Sequence, residues 1–356
     1  MNRRTMAAAG VTHLWHSMLA WACRTRLTPF GPPLSVAIGL TSRCTYRCMH
    51  CQVWREQHDE FGPEKWREVF DELAVWMGPT HVGLAGGEPF LRSDLGDIVQ
   101  IAADCGLLPS VVTNGAPDID PADVVAWPLV SLTLSLDSLD SGPHDALHRA
   151  PGAHRRVMDL AKDLCAAGMG RRLRIAAVLT SLNVDQIAPL AQWTAAQGIG
   201  GFTVQPLGEP FGSARDSSWY RALGLGVEPA RVRAVVEQLR AGSRSGWPVL
   251  NPWRQLALLP RYYEDPERQI VPCTVGVASL GISPSGDLRF CPYLPPFGHV
   301  NDGPIRRQWF GDEAARGRAL VRACTRGCSI MNCTFSPTPG ERLRRWRRYV
   351  PALIHS

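Results

Sequence analysis

The chain has 356 residues, 45% of them hydrophobic and 20% charged, with a formal net charge of +6. That length exceeds the usual single core, and the composition is that of an ordered, enzyme-sized protein, which excludes a disordered, fibrous or low-complexity chain. The charge is modest and much of its excess sits in GERLRRWRRYVPALI near the C-terminus, so nucleic-acid binding is not implied.

In chain order, residues 1–34 read as an amphipathic lead-in. A basic start and an Ala-Trp-Ala before Cys23 loosely imitate a signal peptide, but His13 and His16 break the apolar run. No stretch reaches the roughly eighteen apolar residues that a membrane span requires. From residue 35 to 207, short apolar runs alternate with amphipathic stretches, the pattern of repeated strand-helix units and a parallel sheet. The expected strands are SVAIGLT, HVGLAG, SVVTN, SLTLSLD, RIAAVLT and GFTVQPL. Between the first two, PEKWREVFDELAVWM predicts a helix with Pro63 in its first turn and Trp66, Val69, Phe70, Leu73 and Trp76 at helical spacing. Residues 208–272 read as a helical linker. A cysteine-bearing region follows at 273–337, where VASLGISPSGDLRFCP predicts a hairpin turning at Pro284–Asp287. Residues 338–356 form a basic tail, either a solvated helix packing Leu343 and Trp346 or a peripheral membrane contact.

Polar residues gather at the C-terminal ends of these strands: CTYRCMHC after the first, GGEP after the second, TNG after the third, and Ser135-Leu136-Asp137 closing the fourth. In a barrel-like or open parallel sheet those ends form the active face. The eleven cysteines fall into two clusters and three singletons in a chain too large to need disulfide staples, which points to metal or cluster ligation in a reducing, cytoplasmic setting. Cys105 and Cys165 sit at inward helical positions and read as core. Cys44, Cys48 and Cys51, spaced C-x3-C-x2-C, can hold three irons of a four-iron four-sulfur cluster and leave the fourth iron without a protein ligand. The competing reading is zinc with His50 as fourth ligand, though adjacent His50 and Cys51 are awkwardly placed to share one tetrahedral ion.

The loop carrying Cys44, Cys48 and Cys51 resembles the cluster motif of the radical S-adenosylmethionine (radical SAM) enzymes. GGEP at Gly86, Gly87, Glu88 and Pro89 resembles that family's methionine-binding stretch, Thr113-Asn114-Gly115 and Ser135-Leu136-Asp137 its third and fourth strand ends, and HDALHRAPGAHRRV its segment after strand four. The resemblance implies an α/β fold, a partial (β/α)6 TIM-like barrel with a small C-terminal cysteine-rich auxiliary cluster domain. It also implies a cluster on Cys44, Cys48 and Cys51 that cleaves S-adenosylmethionine to a 5'-deoxyadenosyl radical. Gly86, Gly87, Glu88, Pro89, Thr113, Asn114, Ser135 and Asp137 become the expected cofactor contacts, with the Glu88 carboxylate facing the methionine amino group; no catalytic residue is assigned.

The spacing Cys273-x12-Gly286-x4-Cys291, followed by Cys324, Cys328 and Cys333, resembles the SPASM or twitch extension that binds auxiliary clusters. It departs from that pattern at Gly327, where a cysteine is expected, and at Pro337. Five thiols imply one auxiliary four-iron cluster on Cys273, Cys291 and two of the other three, with structural zinc as the alternative. The implied partners are a small-molecule or peptide substrate, to be dehydrogenated, epimerised, cross-linked or rearranged, and a reductant such as flavodoxin or ferredoxin. Thirty-four residues before the first strand are too few for a leader-peptide recognition domain, so a separate protein would supply that function. The other class of reading is a non-catalytic iron-sulfur or electron-transfer protein, which would have no need of a methionine-binding GGEP loop.

Overall fold

The computed structural model describes residues 27–56, 59–115, 119–210 and 218–336, with 18, 338, 340 and 341. Most of the lead-in, Cys23, Pro337 and the basic tail lie outside the described residues.

Six parallel strands follow one another across the sheet: β1 (Ser35–Thr41), β2 (His81–Gly86), β3 (Leu108–Thr113), β4 (Ser131–Ser135), β5 (Leu173–Leu179) and β6 (Gly201–Pro206). Val36, Ile38, Leu40, Val82, Leu84, Val111, Leu132 and Leu134 are all buried, as strands covered on both faces require. The sheet stays open, so this is a partial barrel. The predicted first helix spans Pro63–Met77, begins with proline and ends at Gly78 in positive φ, whose N–H closes on the Ala74 carbonyl. It buries Trp66, Val69, Phe70, Leu73 and Met77, while Trp76 packs edge-on against Trp309.

The C-terminal region continues the same sheet. β7 (Ser279–Ile282) pairs parallel with β1, and β8 (Asp287–Arg289) and β9 (Gly298–His299) add antiparallel strands, giving the order β6-β5-β4-β3-β2-β1-β7-β8-β9. The expected hairpin therefore forms, with the Gly286 N–H donating to Ser283 O at 2.9 Å. Gly286 has a φ of +94°, and a Cβ there would meet Phe61 and Val300. Residues 208–272 supply helices Trp219–Leu223, Pro229–Arg244 and Trp253–Glu264. Cys105 and Cys165 prove half-buried at the margin of the core rather than inside it, and the Cys105 thiol donates to Asp71 at 3.0 Å.

Candidate active site

Because β1 to β4 run parallel, the loops after them share one edge of the sheet. The thiol loop is fastened to that edge on two sides. On the first, Gly87 N–H donates to the Thr41 carbonyl (2.7 Å) and Glu88 N–H to the Arg43 carbonyl (2.8 Å). A Cβ at Gly86 would lie 2.1 Å from Thr41 O, and one at Gly87 2.1 Å from Arg43 O. These glycines thus let GGEP approach the backbone immediately before Cys44. On the second side, the end of helix Ser141–His148 accepts from the loop: Met49 N–H to Leu147 O at 2.9 Å and Arg47 N–H to His148 O at 3.3 Å.

Glu88 is fully buried. Its Oε1 accepts from Phe90 N–H (3.0 Å) and the Thr113 hydroxyl (2.8 Å), and its Oε2 from Asn114 N–H (2.8 Å). Burial raises its carboxyl to about 7, against the pull of those three donors. The Glu88 side chain, expected to face an ammonium, ties the end of β2 to the end of β3. Thr113 is buried in the same knot, whereas the Asn114 amide reaches the Cys44 sulfur at 3.5 Å. Pro89 is buried and opens a single 3-10 turn.

Asp137, also buried, is equally engaged. Its Oδ1 accepts from Val178 N–H (2.6 Å), its Oδ2 meets His148 Nε2 (2.8 Å), its N–H donates to His144 Nδ1 (3.2 Å), and its carbonyl accepts from Asn183 (2.7 Å). Burial works to raise its carboxyl, but the His148 hydrogen bond and the neighbouring imidazoles win and hold it below the usual range. Burial first, with the neighbouring His148 adding to it and Asp137 opposing, pushes His144 down to about 3 and His50 down to about 4. Ser135 is half-buried at the end of β4.

Sequence reasoning assigned no role to several residues that shape this edge. Tyr46 is buried in the thiol loop, its hydroxyl accepting from Arg156 at 3.2 Å. Arg92, nearly inaccessible, donates to Leu40 O, Phe61 O, Asp94 and Glu60, and Glu60 also takes Arg43 and the Thr41 hydroxyl, so one polar knot holds both ends of the loop. His148 lay inside a quoted segment, but only the fold brings it to Cys48, with Nδ1 3.2 Å from the sulfur.

The three thiols fit a multi-iron cluster better than a single ion. Burial raises Cys44, and raises Cys51 to about 11, and in both cases the neighbouring thiols add to the effect, so the sulfurs converge. Ligand sulfurs on one tetrahedral zinc would lie about 3.8 Å apart. Among the described residues the three-donor set with all atoms within 4.8 Å is Asp137, His144 and His148, and the cysteine sulfurs are more widely spread. His50 does not complete a zinc set: among the described residues no group of three donor atoms within 4.8 Å of one another includes it.

Further along, Cys273, Cys291, Cys324, Cys328 and Cys333 are gathered together. Burial pushes Cys291 up to about 12 and Cys328 well above the thiol range, and in each case the other four thiols, or three of them, add to it. Cys333 is exposed as a residue, yet burial raises its thiol to about 11 with help from Cys273. Buried thiols that resist ionisation are what a bound metal group must compensate, and a set of soft sulfur donors suits iron-sulfur ligation. The departure at position 327 coincides with a lack of space: a Cβ on Gly327 would stand 1.9 Å from Pro266 O. Cys273 also lines a cavity of ≈ 580 Å³ with Thr274, Arg254, Arg322 and Phe335.

The profile of the Radical SAM superfamily matches residues 38–194. A PqqA peptide cyclase of Xanthomonas oryzae pv. oryzae is 31% identical over 183 residues, 48% of this chain and 47% of that protein. The PqqA peptide cyclase of Xanthomonas euvesicatoria pv. vesicatoria is 28% identical over 314 residues, 82% of this chain and 76% of that one. The chain thus spans about half the length of the first of these relatives and about three quarters of the second. Among solved structures, Streptococcus suis SuiB bound to S-adenosylmethionine superposes with a TM-score of 0.67 at 17% identity, covering 87% of this chain and 76% of that one. SuiB has also been solved bound to its precursor peptide SuiA. At that identity the likeness speaks for the fold.

Proposed function

Residues 38–194 belong to the radical SAM superfamily, and from that premise we propose that the chain is a radical S-adenosylmethionine enzyme that oxidises or cross-links a peptide. The observation that carries the reading is the thiol loop fastened by Gly87 and Glu88 backbone donors at the C-terminal edge of a parallel sheet. Matches to peptide cyclases over most of both chains favour a peptide substrate over a small molecule.

In this reading Cys44, Cys48 and Cys51 hold a four-iron four-sulfur cluster with one iron left to S-adenosylmethionine. When bound, that group supplies the electron that splits the sulfonium and releases a 5'-deoxyadenosyl radical. The chain's own residues orient and shield. Gly86 and Gly87 bring main chain to the loop; Glu88 and Thr113 brace the ends of β2 and β3; Asn114, whose amide reaches the Cys44 sulfur, and Ser135 are the polar side chains we assign to cofactor contact. Asp137 acts through the backbone it fixes and through His148. Cys273, Cys291 and two of Cys324, Cys328 and Cys333 hold one auxiliary cluster. A flavodoxin or ferredoxin serves as reductant. Among the described residues no helix is long and apolar enough to cross a membrane.

The test is anaerobic reconstitution with iron and sulfide, followed by dithionite and S-adenosylmethionine, with 5'-deoxyadenosine and bound iron measured together. Roughly eight irons per chain and deoxyadenosine formation are expected. Bound zinc with no deoxyadenosine would overturn the reading. Adding precursor peptides encoded beside the gene should then yield a product lacking a pair of hydrogens.

A further inference from the structure

The contact between Cys48 and His148 joins two parts of the molecule one hundred residues apart, and its geometry is fixed on every side. The residues flanking Cys48 donate to the last two carbonyls of the helix that carries the imidazole: Arg47 N–H to His148 O and Met49 N–H to Leu147 O. That helix stops at His148 because Arg149 turns to a φ of 49°. The ring, only 3% exposed, is held at Nε2 by Asp137 Oδ2 (2.8 Å). The His144 ring lies against one face at a centroid distance of 4.2 Å, and the Tyr46 ring meets it edge-on at 5.6 Å. Asp137 is in turn anchored by Val178 N–H and by its own backbone bonds to His144 and Asn183.

Asp137, His144 and His148 could be taken for a metal site, since their ligand atoms lie within 4.8 Å of one another. Two of their ring nitrogens are already engaged within the group, however: His148 Nε2 with Asp137 Oδ2, and His144 Nδ1 with Asp137 N–H, while His144 Nε2 is buried with no partner. Nδ1 of His148 points away from Asp137 and is aimed at the Cys48 sulfur. A coordinated thiolate only accepts and a carboxylate only accepts, so the ring donates at both ends. The thiol-loop sulfurs differ in this respect. Cys44 faces the backbone N–H of Tyr46 and the Asn114 amide, and Cys51 the backbone N–H of Val53, whereas Cys48 faces an imidazole.

We propose that His148, oriented by Asp137, is a positioning residue that donates a hydrogen bond to the Cys48 sulfur and thereby raises the reduction potential of the cluster held by Cys44, Cys48 and Cys51. The proposal rests on the cluster assignment above. A donor on a ligating sulfur draws charge away from the cluster and favours the reduced form, which carries one more electron, and it does so more strongly where water is excluded.

The measurement is an EPR-monitored redox titration of the full reconstituted chain, following the signal that changes on adding S-adenosylmethionine, in wild type and three variants. His148→Phe removes both hydrogen bonds, His148→Gln can keep the Asp137 contact without reaching the sulfur, and His148→Asn can present an amide N–H near the Nδ1 position. The expected result is a lower midpoint potential in the Phe and Gln variants and a return toward wild type in the Asn variant, at equal bound iron. Equal potentials across all four at full iron would overturn the proposal. So would failure of His148→Asn to assemble the cluster, because the position would then serve packing alone. Failure of the wild type itself to give a signal responsive to S-adenosylmethionine would instead defeat the functional assignment, so the two failures are distinguishable.

Discussion

The two thiol sets of this protein are built in opposite ways. The first packs three cysteines into eight residues at the end of β1, and backbone hydrogen bonds from the ends of β2 and of helix Ser141–His148 shape that loop. The second draws five cysteines from positions 273 to 333, and turns, a hairpin and a short 3-10 segment bring them together. A local loop braced by its neighbours can leave one cluster corner open to a small ligand. A set collected from distant segments depends on the tertiary fold to bring its sulfurs together. Under the proposed function, reactivity belongs to the first set, and the second set joins the C-terminal segments to one another.

The largest effect expected from breaking this contrast is at the first set. Replacing Cys44, Cys48 and Cys51 together with alanine should abolish deoxyadenosine formation and remove roughly half the iron while leaving the second set loaded. Cys291→Ser should give the reverse: a similar loss of iron with deoxyadenosine formation retained, and no modified peptide. If Cys291→Ser also stops S-adenosylmethionine cleavage, the division of labour is wrong.

A smaller effect is expected at the brace. Gly87→Ala would force a methyl to within 2.1 Å of Arg43 O, so the loop must shift. About 1–3 kcal/mol of stability should be lost, read by thermal or denaturant melts of the metal-free chain, together with weaker cluster retention. The same backbone clash does not arise at Gly142, where a Cβ would meet nothing within 4 Å, so Gly142→Ala is the control.

A further effect, confined to a pH window, is expected at Glu88. Glu88 sits at about 7 in the folded protein against 4.5 unfolded, so between those values the folded state binds more protons. Its contribution to stability is therefore present below pH 4.5 and declines as pH rises to about 7, by up to about 3 kcal/mol. Glu88→Gln cannot titrate, so the wild type should lose stability relative to this variant across that window. An unchanged difference between pH 4.5 and 7 would mean that the three hydrogen bonds to the carboxylate outweigh its burial.

All six parallel strands were legible in the sequence to within two residues or so, because strands covered on both faces must be almost wholly apolar and their helices must show a 3.6-residue period. The gathering of polar residues at one edge followed from the parallel order. Less legible was β7, a four-residue strand that joins the sheet only because the edge of β1 is open to it. The glycines of GGEP were legible as glycines, but what they approach was not. Their near contacts are Thr41 and Arg43, whose positions depend on the polar knot of Glu60 and Arg92.

The sequence by itself determined the alternation of strands and helices, the C-x3-C-x2-C loop and the supply of soft ligands, since these depend on spacing and residue type over short distances. Only the tertiary structure decided that Glu88 and Asp137 are internal braces, that position 327 has no room for a side chain beside Pro266, and that His148 meets the Cys48 sulfur. The reason is physical. Whether a carboxylate braces the fold or binds a ligand depends on which donors surround it and whether water reaches it, and both are set by segments far apart in sequence.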